Sequence, residues 1–208
     1  ICKQLNIDTK KYKERTFLNA ISSAKDELKT PEQYADEVAK EYNKKIFGRV
    51  YKEYQKRLKQ NNALDFDDLI MLTVQLFRQN AEILNHYQER FPFILVDEYQ
   101  DTNTAQFTLL SLLASRYQNL CVVGDDDQSI YRFRGANIHN ILNFEKIFPA
   151  TKVIRLEQNY RSTKNILAAA SGVIKHNSMR KEKTLWTTAE AGAPISYGRY
   201  DNEYEEAQ

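Results

Sequence analysis

Three short apolar runs, each ending abruptly in polar residues, constrain the fold of this chain more than any other feature. They are Phe93–Val96 before Asp97 and Glu98, Leu120–Val123 before Gly124 and Asp125, and Val153–Leu156 before Glu157. Such runs are typical of strands buried on both faces of a parallel sheet. Helical patterns follow them at Thr104–Tyr117, Ile138–Phe148 and Ser162–His176. This β-α-β-α-β-α order predicts a doubly wound α/β fold.

The N-terminal part of the chain instead predicts helices. Apolar and aromatic residues recur in steps of four from Glu32 to Leu58, which indicates one long amphipathic helix. Thr30 as N-cap and Pro31 at the first helical position mark its start. The remaining boundaries predict an earlier helix around Thr16–Leu28, a break at Asn61 and Asn62, a helix capped by Asp65, and two short strands between Thr184 and Tyr200.

Composition and charge limit the possible classes of protein but do not identify one. The 208 residues allow one large domain or two small ones, and the net charge of +2 says little about partners. The N-terminal third is basic, which suits either phosphate contact or a solvated helical surface. Cys2 and Cys121 form neither a disulfide framework nor a metal spacing, so we expect a cytoplasmic protein. No apolar run approaches the roughly 18 residues of a membrane helix, and we expect no membrane partner. Because Ile1 is not Met, we expect an internal piece of a longer chain.

The acidic pair Asp97 and Glu98 lies where the first predicted strand ends. Ligands of α/β sheets bind at the carboxyl ends of the strands. Nucleotide hydrolysis needs one carboxylate to hold Mg²⁺ and a second to orient and deprotonate the attacking water. The alternative is an ordinary acidic loop, since apolar strands are often followed by acidic residues.

The segment Gly124–Gly135 follows the second predicted strand. Gly124 allows a sharp turn, and Gln128 can sense a phosphate or a water as both donor and acceptor. The stretch Tyr131–Arg134 alternates rings with guanidinium groups, which suits single-stranded nucleic acid. The alternatives are that Tyr131 and its neighbouring ring pack in the core, and that Asp125–Asp127 form a calcium loop, although the spacing of an EF-hand is missing.

The segment Glu157–Thr163 lies between the third predicted strand and the last helix. Arg161 can reach a developing phosphoryl charge, as an arginine finger does, and Tyr160 can stack on a base. Each of these two residues, taken alone, is also compatible with an ordinary surface position. Ser162 or Thr163 is expected to be the helix N-cap.

Together these segments resemble motifs II, III and IV of the superfamily-one DNA helicases of the UvrD/Rep/PcrA group. The matching stretches are D-E-Y-Q-D-T-N, G-D-D-D-Q-S-I-Y-R-F-R-G-A and L-E-Q-N-Y-R-S-T, with A-L-D-F-D-D-L-I at residues 63–70. The resemblance covers essentially the whole chain. It implies two RecA-like α/β motor domains with parallel sheets, flanking helices and helical insertions. Residues 1–60 then end the helical accessory domain called 1B, residues 61–154 form the second half of the first motor domain, and residues 155–208 begin the second.

The resemblance also implies a role for each site residue, with ATP and Mg²⁺ as cofactors. These roles are Mg²⁺ binding for Asp97, the catalytic base for Glu98, γ-phosphate contact coupled to DNA for Gln128, base stacking for Tyr131 and Phe133, coupling near nucleotide and DNA for Arg134, adenine contact for Tyr160, and the arginine finger for Arg161. Tryptophan is usual at the position of Phe133, so we expect a weaker base contact there. The implied partners are single-stranded DNA and duplex junctions, with repair or replication proteins left unidentified.

The phosphate-binding loop G-x-x-x-x-G-K-[ST] does not occur anywhere in the sequence. The resemblance places that loop upstream of residue 1, so we expect residues 1–208 alone to hydrolyse no ATP at a useful rate. The leading hypothesis for the parent protein is a motor that moves 3′ to 5′ on single-stranded DNA and separates strands, with the polarity taken from the resemblance. A non-catalytic DNA-binding or protein-interaction module is the alternative. An RNA-directed ATPase fits less well, because Q-S-I-Y-R-F-R-G resembles the DNA helicases.

Overall fold

The computed structural model describes residues 1–177, 180, 181 and 183–207. The chain divides into two compact units, Ile1–Phe144 and Glu145–Gln208. Within the described residues, no helix combines the length and apolar character that crossing a membrane requires. The predicted fold class is confirmed, because a parallel sheet follows a mostly helical region.

Ten α-helices, three short 3₁₀ helices and two strands are present in the described part of the chain. The helices are α1 (Glu14–Asp26), α2 (Pro31–Val38), α3 (Lys45–Gln60), α4 (Phe66–Gln79), α5 (Ala81–Arg90), α6 (Thr104–Ala114), α7 (His139–Leu142), α8 (Phe144–Ile147), α9 (Lys164–Ile174) and α10 (Glu203–Glu206). The strands are β1 (Ile94–Val96) and β2 (Leu120–Val122).

The prediction of one long helix from Glu32 to Leu58 is wrong, because α2 and α3 are separate helices that pack against each other. A Cβ atom at Gly48 would lie 2.8 Å from the Cα atom of Ala35, so only glycine permits this close approach. Tyr42 belongs to the apolar stripe in sequence but is 86% exposed in the connection. Two helices that face each other both need an apolar residue in each turn, and their patterns run together in the sequence.

The predicted helix starts at Thr30 and Asp65 are confirmed. The Thr30 hydroxyl accepts from Gln33 N at 3.3 Å, and Asp65 Oδ1 accepts from Asp68 N at 2.8 Å. In each case the third helical residue accepts the N-cap amide in return, which completes a capping box. Thr163 occupies the N-cap position of α9 without a side-chain cap bond. The helix α5 was not predicted from the sequence.

The core of the first unit lies where α1 and α3 pack together, and a buried ion-pair cluster joins α1 to the start of α4. The Lys25 ammonium group, 1% exposed as a residue, lies 2.6 Å from Asp65 Oδ2 and 2.8 Å from Asp68 Oδ1. Gln55 Nε2 donates to both oxygens of Asp68 at 3.0 and 3.2 Å. Burial by itself raises the pKa of Asp65, but hydrogen bonds from Lys25 and from the Asp68 amide, with the charge of Lys25, lower it overall. The stretch at residues 63–70 therefore stabilises the helical packing. The apolar core around it comprises Ile7, Phe17, Ile21, Ala24, Val50 and Tyr51.

Strands β1 and β2 pair in parallel, as predicted, with Leu95 opposite Cys121. The expectation that both faces of these strands are buried is wrong, since Leu95 is 79% exposed and Cys121 is also exposed. Successive side chains point to opposite faces of a sheet, so this alternation identifies one uncovered face.

The predicted third strand at Val153–Leu156 is wrong, and so are the two strands predicted in the tail. Residues 153–156 form no ladder, and Ile154 and Leu156 are 70% and 79% exposed. The backbone instead pairs two residues beyond this run, in an isolated parallel bridge between Gln158 and Trp186. An apolar run becomes a strand only where a neighbour supplies ladder bonds. The helix predicted at 138–148 is also divided, into α7 and α8, at Asn143.

Candidate nucleotide and nucleic-acid sites

An open depression of about 390 Å³ lies at the carboxyl end of β1. The acidic pair and the first part of α6 line this depression, which lies where α/β sheets bind ligands. Its lining residues are Val96, Asp97, Glu98, Asp101, Thr102, Gln106, Leu109 and Leu110. No Lys or Arg is among these lining residues, so the depression offers carboxylates but no cation for phosphate.

The acidic pair is held by a tight backbone turn. Glu98 has φ 49° and ψ 40°, a left-handed conformation that few residues other than glycine adopt. Its amide donates to Asp97 Oδ1 at 2.8 Å, which orients the Asp97 carboxylate. Both side chains are exposed. Carboxylate oxygens that face solvent are the ligands Mg²⁺ takes, usually with several waters, and the residues present therefore fit that ion.

Gln100 connects the acidic pair to the second strand, and the sequence did not reveal this. The residue is 1% exposed. Its Nε2 donates to Glu98 Oε2 at 2.8 Å, and its Oε1 accepts from Asp125 N at 3.0 Å. Its backbone oxygen also accepts from the Ser129 hydroxyl at 3.2 Å. In the sequence, Gln100 is recognisable only as a polar residue two positions after Glu98, which does not predict these contacts.

Gly124 is required because Gln100 occupies the space of a side chain. A Cβ atom at Gly124 would lie 2.7 Å from Gln100 Oε1 and 3.2 Å from Tyr99 N. Contacts this short are not tolerated without displacement of the neighbouring atoms. Gly124 therefore allows the ends of β1 and β2 to approach closely, in addition to the turn predicted for it.

Asp125 fixes the loop that follows β2. Its Oδ1 accepts from Asp127 N at 3.0 Å, and its Oδ2 accepts from Gln128 Nε2 at 2.8 Å. Gln128 is thereby tied through Asp125 and Gln100 to Glu98, although Gln128 itself is exposed. The carboxylate oxygens of Asp125–Asp127 lie within 4.8 Å of one another, but all three residues already interact with the protein. Proximity alone assigns no cation to them.

Tyr131, Phe133 and Arg134 form an exposed cluster of rings and charge. The ring centroids of Tyr131 and Phe133 lie 5.9 Å apart with planes tilted by 45°. The Arg134 guanidinium carbon lies 5.3 Å from the first centroid and 5.6 Å from the second. Because Phe133 is 78% exposed and Tyr131 38%, the alternative that both rings pack in the core is wrong. The cluster presents π-faces and positive charge to solvent.

Asp26 braces the turn that ends this cluster. Gly135 has φ 86°, and a Cβ atom on it would lie 2.5 Å from Asp26 Oδ2. Asn103 Nδ2 donates to Asp26 Oδ1 at 2.6 Å, which joins α1 to the start of α6. Burial, with added repulsion from Asp67 and Glu27, raises the pKa of Asp26 to about 6.

Tyr160 and Arg161 lie in the second unit, on a turn organised by the Asn159 side chain. Asn159 Oδ1 accepts from the amides of Arg161 and Ser162 at 3.0 and 2.8 Å. The Asn159 amide in turn donates to Trp186 O at 2.7 Å. Tyr160 is 84% exposed, and its hydroxyl donates to Gln158 Oε1 at 2.9 Å. The turn presents both predicted side chains to solvent.

The structure thus groups the predicted residues into three sets. Asp97, Glu98 and Gln128 are joined by hydrogen bonds through Gln100 and Asp125. A second set contains Arg134 and the two rings, and the third contains Tyr160 and Arg161. The chemical roles expected for all of these residues stay predictions.

The chain is similar to known helicases over its whole length. Residues 1–149 match the model of the UvrD/REP helicase N-terminal domain, and residues 154–208 match the UvrD-like helicase C-terminal domain. The whole chain is 57% identical to the ATP-dependent DNA helicase PcrA of Bacillus subtilis strain 168. It is 55% identical to the PcrA helicases of Staphylococcus epidermidis ATCC 35984 and Staphylococcus aureus Mu50. In each case the chain spans 28% of the length of the relative.

The first unit therefore combines a parallel strand pair that ends in acidic residues with a loop that bears exposed rings. With a family model matching most of its length, the chain belongs to the UvrD/Rep helicase family.

Proposed function

We propose that the protein containing this chain is an ATP-dependent DNA helicase that couples Mg-ATP hydrolysis to movement on single-stranded DNA. One observation carries the proposal. A continuous hydrogen-bonded path runs from Glu98 through Gln100 and Asp125 to Gln128, three residues before the exposed ring of Tyr131. A motor needs such a connection between its hydrolytic carboxylate and its DNA contact. The family membership and the names of the relatives support the same proposal.

At the nucleotide end, Asp97 would hold Mg²⁺ and Glu98 acts as the general base. An ion bound by Asp97 would supply positive charge beside the phosphate oxygens. Glu98 orients the attacking water and takes its proton, for which an exposed carboxylate beside an open depression is suited. Gln128, held by Asp125, meets the terminal phosphate as an uncharged hydrogen-bonding group.

At the DNA end, Tyr131 and Phe133 stack on bases while Arg134 meets a phosphate. Every base has a π-face, so stacking of this kind tolerates any sequence, as a translocating motor requires. The guanidinium group of Arg134 already lies over both rings, and it can turn toward a strand that follows them.

In the second unit, Tyr160 contacts adenine and Arg161 stabilises the charge that develops on the transferred phosphoryl group. Both side chains project from a turn fixed by Asn159, which keeps them accessible to a nucleotide. The proposed domain boundaries are those expected from the sequence, with residues 1–60 in the helical accessory domain, 61–154 in the first motor domain and 155–208 in the second. We further propose 3′ to 5′ movement, duplex unwinding and a cytoplasmic location.

Residues 1–208 alone are proposed to hydrolyse no ATP at a useful rate. The depression has carboxylates but no Lys or Arg among its lining residues, and the sequence has no phosphate-binding loop. The purified chain should therefore show no ATPase activity above the Glu98→Gln variant. Turnover that this variant abolishes would contradict the proposal.

The proposal as a whole is tested with the complete gene product that contains residues 1–208. ATPase activity should rise on addition of single-stranded DNA, and Glu98→Gln should lower kcat by about 10²–10⁴-fold because it removes the base. Glu89→Gln is the matched control, since Glu89 is an exposed carboxylate that pairs with Arg116 at 2.9 Å on the helical surface. If single-stranded DNA gives no stimulation, the protein is instead a non-catalytic binding module.

A further inference from the structure

The buried amide side chain of Gln100 contacts the segments that follow both strands, Glu98 after β1 and Asp125 after β2. Its two ends are used differently. The Nε2 group donates to the side chain of Glu98, and Oε1 accepts from the backbone of Asp125. Neither an ionised carboxylate nor an apolar side chain of this size provides both contacts, because the carboxylate has no donor and the apolar side chain has neither donor nor acceptor.

From this arrangement, and resting on the proposed function, we infer that Gln100 is the positioning residue through which the DNA-binding loop sets the catalytic carboxylate. Gln100 holds one oxygen of Glu98, Oε2, at a fixed place. The other oxygen of Glu98 is then the one that receives the proton of the attacking water.

The loop end of the connection is equally well fixed. The Asp125 amide donates to Gln100 Oε1, its carboxylate accepts from Gln128 Nε2, and the Ser129 hydroxyl donates to the Gln100 carbonyl at 3.2 Å. A displacement of the loop that bears Tyr131 therefore moves Asp125 N, and with it Gln100 and the Glu98 carboxylate. The Gln100 amide packs directly against Gly124, because a Cβ atom on that residue would lie only 2.7 Å from Gln100 Oε1.

The test uses the complete gene product and poly(dT) as the single strand. Gln100→Met keeps the size of the side chain and removes both hydrogen bonds. The DNA-stimulated kcat should fall at least about tenfold, and the ratio of activity with DNA to activity without DNA should approach one. The KM for ATP should stay within about threefold, because Gln100 positions the base rather than binding the nucleotide.

Gln88→Met is the matched control for loss of a buried amide. Gln88 is 4% exposed and donates to Leu112 O at 2.8 Å and to Ser115 Oγ at 2.9 Å, away from the depression. It should lower thermal stability as Gln100→Met does and leave the stimulation ratio unchanged. Gln100→Glu is a second variant if Gln100→Met does not fold. It keeps the acceptor for Asp125 N and loses the donor for Glu98, so the stimulation ratio should fall in the same way.

Two results overturn the inference. Either folded Gln100 variant could retain the wild-type stimulation ratio, or Gln88→Met could lower that ratio equally. Failure of the proposed function gives a different result, in which the wild-type protein shows no DNA-stimulated turnover or Glu98→Gln leaves turnover intact.

Discussion

The first unit is packed around its own buried side chains, whereas the described part of the second unit buries few side chains and is held by backbone and exposed side-chain hydrogen bonds. Among the described residues, Leu167 is the only buried side chain of the second unit. The first unit holds all the others, including charged groups such as Lys25 and Asp68. In the second unit, large apolar residues such as Val173 and Leu156 are 75% and 79% exposed.

This difference extends to the candidate site residues. Glu98 is positioned by Gln100, a side chain that is 1% exposed and bonded at both ends. Arg161 is positioned by the local turn of Asn159 and one backbone bridge to Trp186. The sequence motifs were equally clear in both units. A motif can therefore be recognised in the sequence whether or not buried side chains position it. We expect the two units to respond differently to mutation.

The largest effect is expected at the buried ion pair of the first unit. Lys25→Met leaves the carboxylates of Asp65 and Asp68 without their cation, and should lower the free energy of unfolding by about 3–5 kcal/mol. The matched variant in the second unit is Lys181→Met, whose pair with Glu145 at 2.7 Å is 36% and 47% exposed. It should cost about 1 kcal/mol or less. Urea denaturation measures both, and equal losses would remove the contrast between the units.

A smaller effect, confined to the second unit, is expected at Leu167. Leu167→Ala should destabilise α9 by about 2 kcal/mol, at the lower end for a buried leucine because few buried neighbours surround it. Val173→Ala on the same helix, at a position 75% exposed, should change stability by less than about 0.5 kcal/mol. Amide hydrogen exchange should lose protection in α9 and keep it in α1 and α3. Equal loss in α1 would mean that the two units unfold together.

The smallest effect is expected at Asp26 and depends on pH. Its pKa is raised from 3.8 to about 6, so the folded state binds this proton more tightly than the unfolded state. Stability from this group is therefore full below pH 3.8 and is lost as pH rises to about 6. Asp26→Asn, which keeps an acceptor for Asn103, should stabilise the protein by about 1 kcal/mol at pH 7, after allowance for solvent screening.

Thermal unfolding of the wild type and of Asp26→Asn between pH 4 and 7 measures this difference. The advantage of the variant should grow over that range and level off above pH 6. If the stability gained by Asp26→Asn does not vary with pH, protonation of Asp26 is not its cause. The contact between Asp26 and Gly135 would then be purely steric.

Local chemistry explains which elements were predictable. The caps at Thr30 and Asp65 depend on residues within one turn, and the parallel pairing of β1 with β2 follows from two apolar runs separated by one helix. The long helix was wrong because a four-residue repeat does not distinguish one helix from two that face each other. The third strand was wrong because Val153–Leu156 has the composition of a strand but no ladder partner.

The sequence by itself identified the acidic pair, the ring-bearing loop and the family. Each of these depends on residues that are contiguous in the chain, so their types and order are enough to recognise them. Only the tertiary structure decided that Gln100 joins Glu98 to Asp125, and that Lys25 pairs with Asp65 across 40 positions. Contacts of this kind depend on which backbones approach closely enough to exclude water. That distance is set by packing between elements and by single glycines such as Gly48 and Gly124, and no local pattern encodes it.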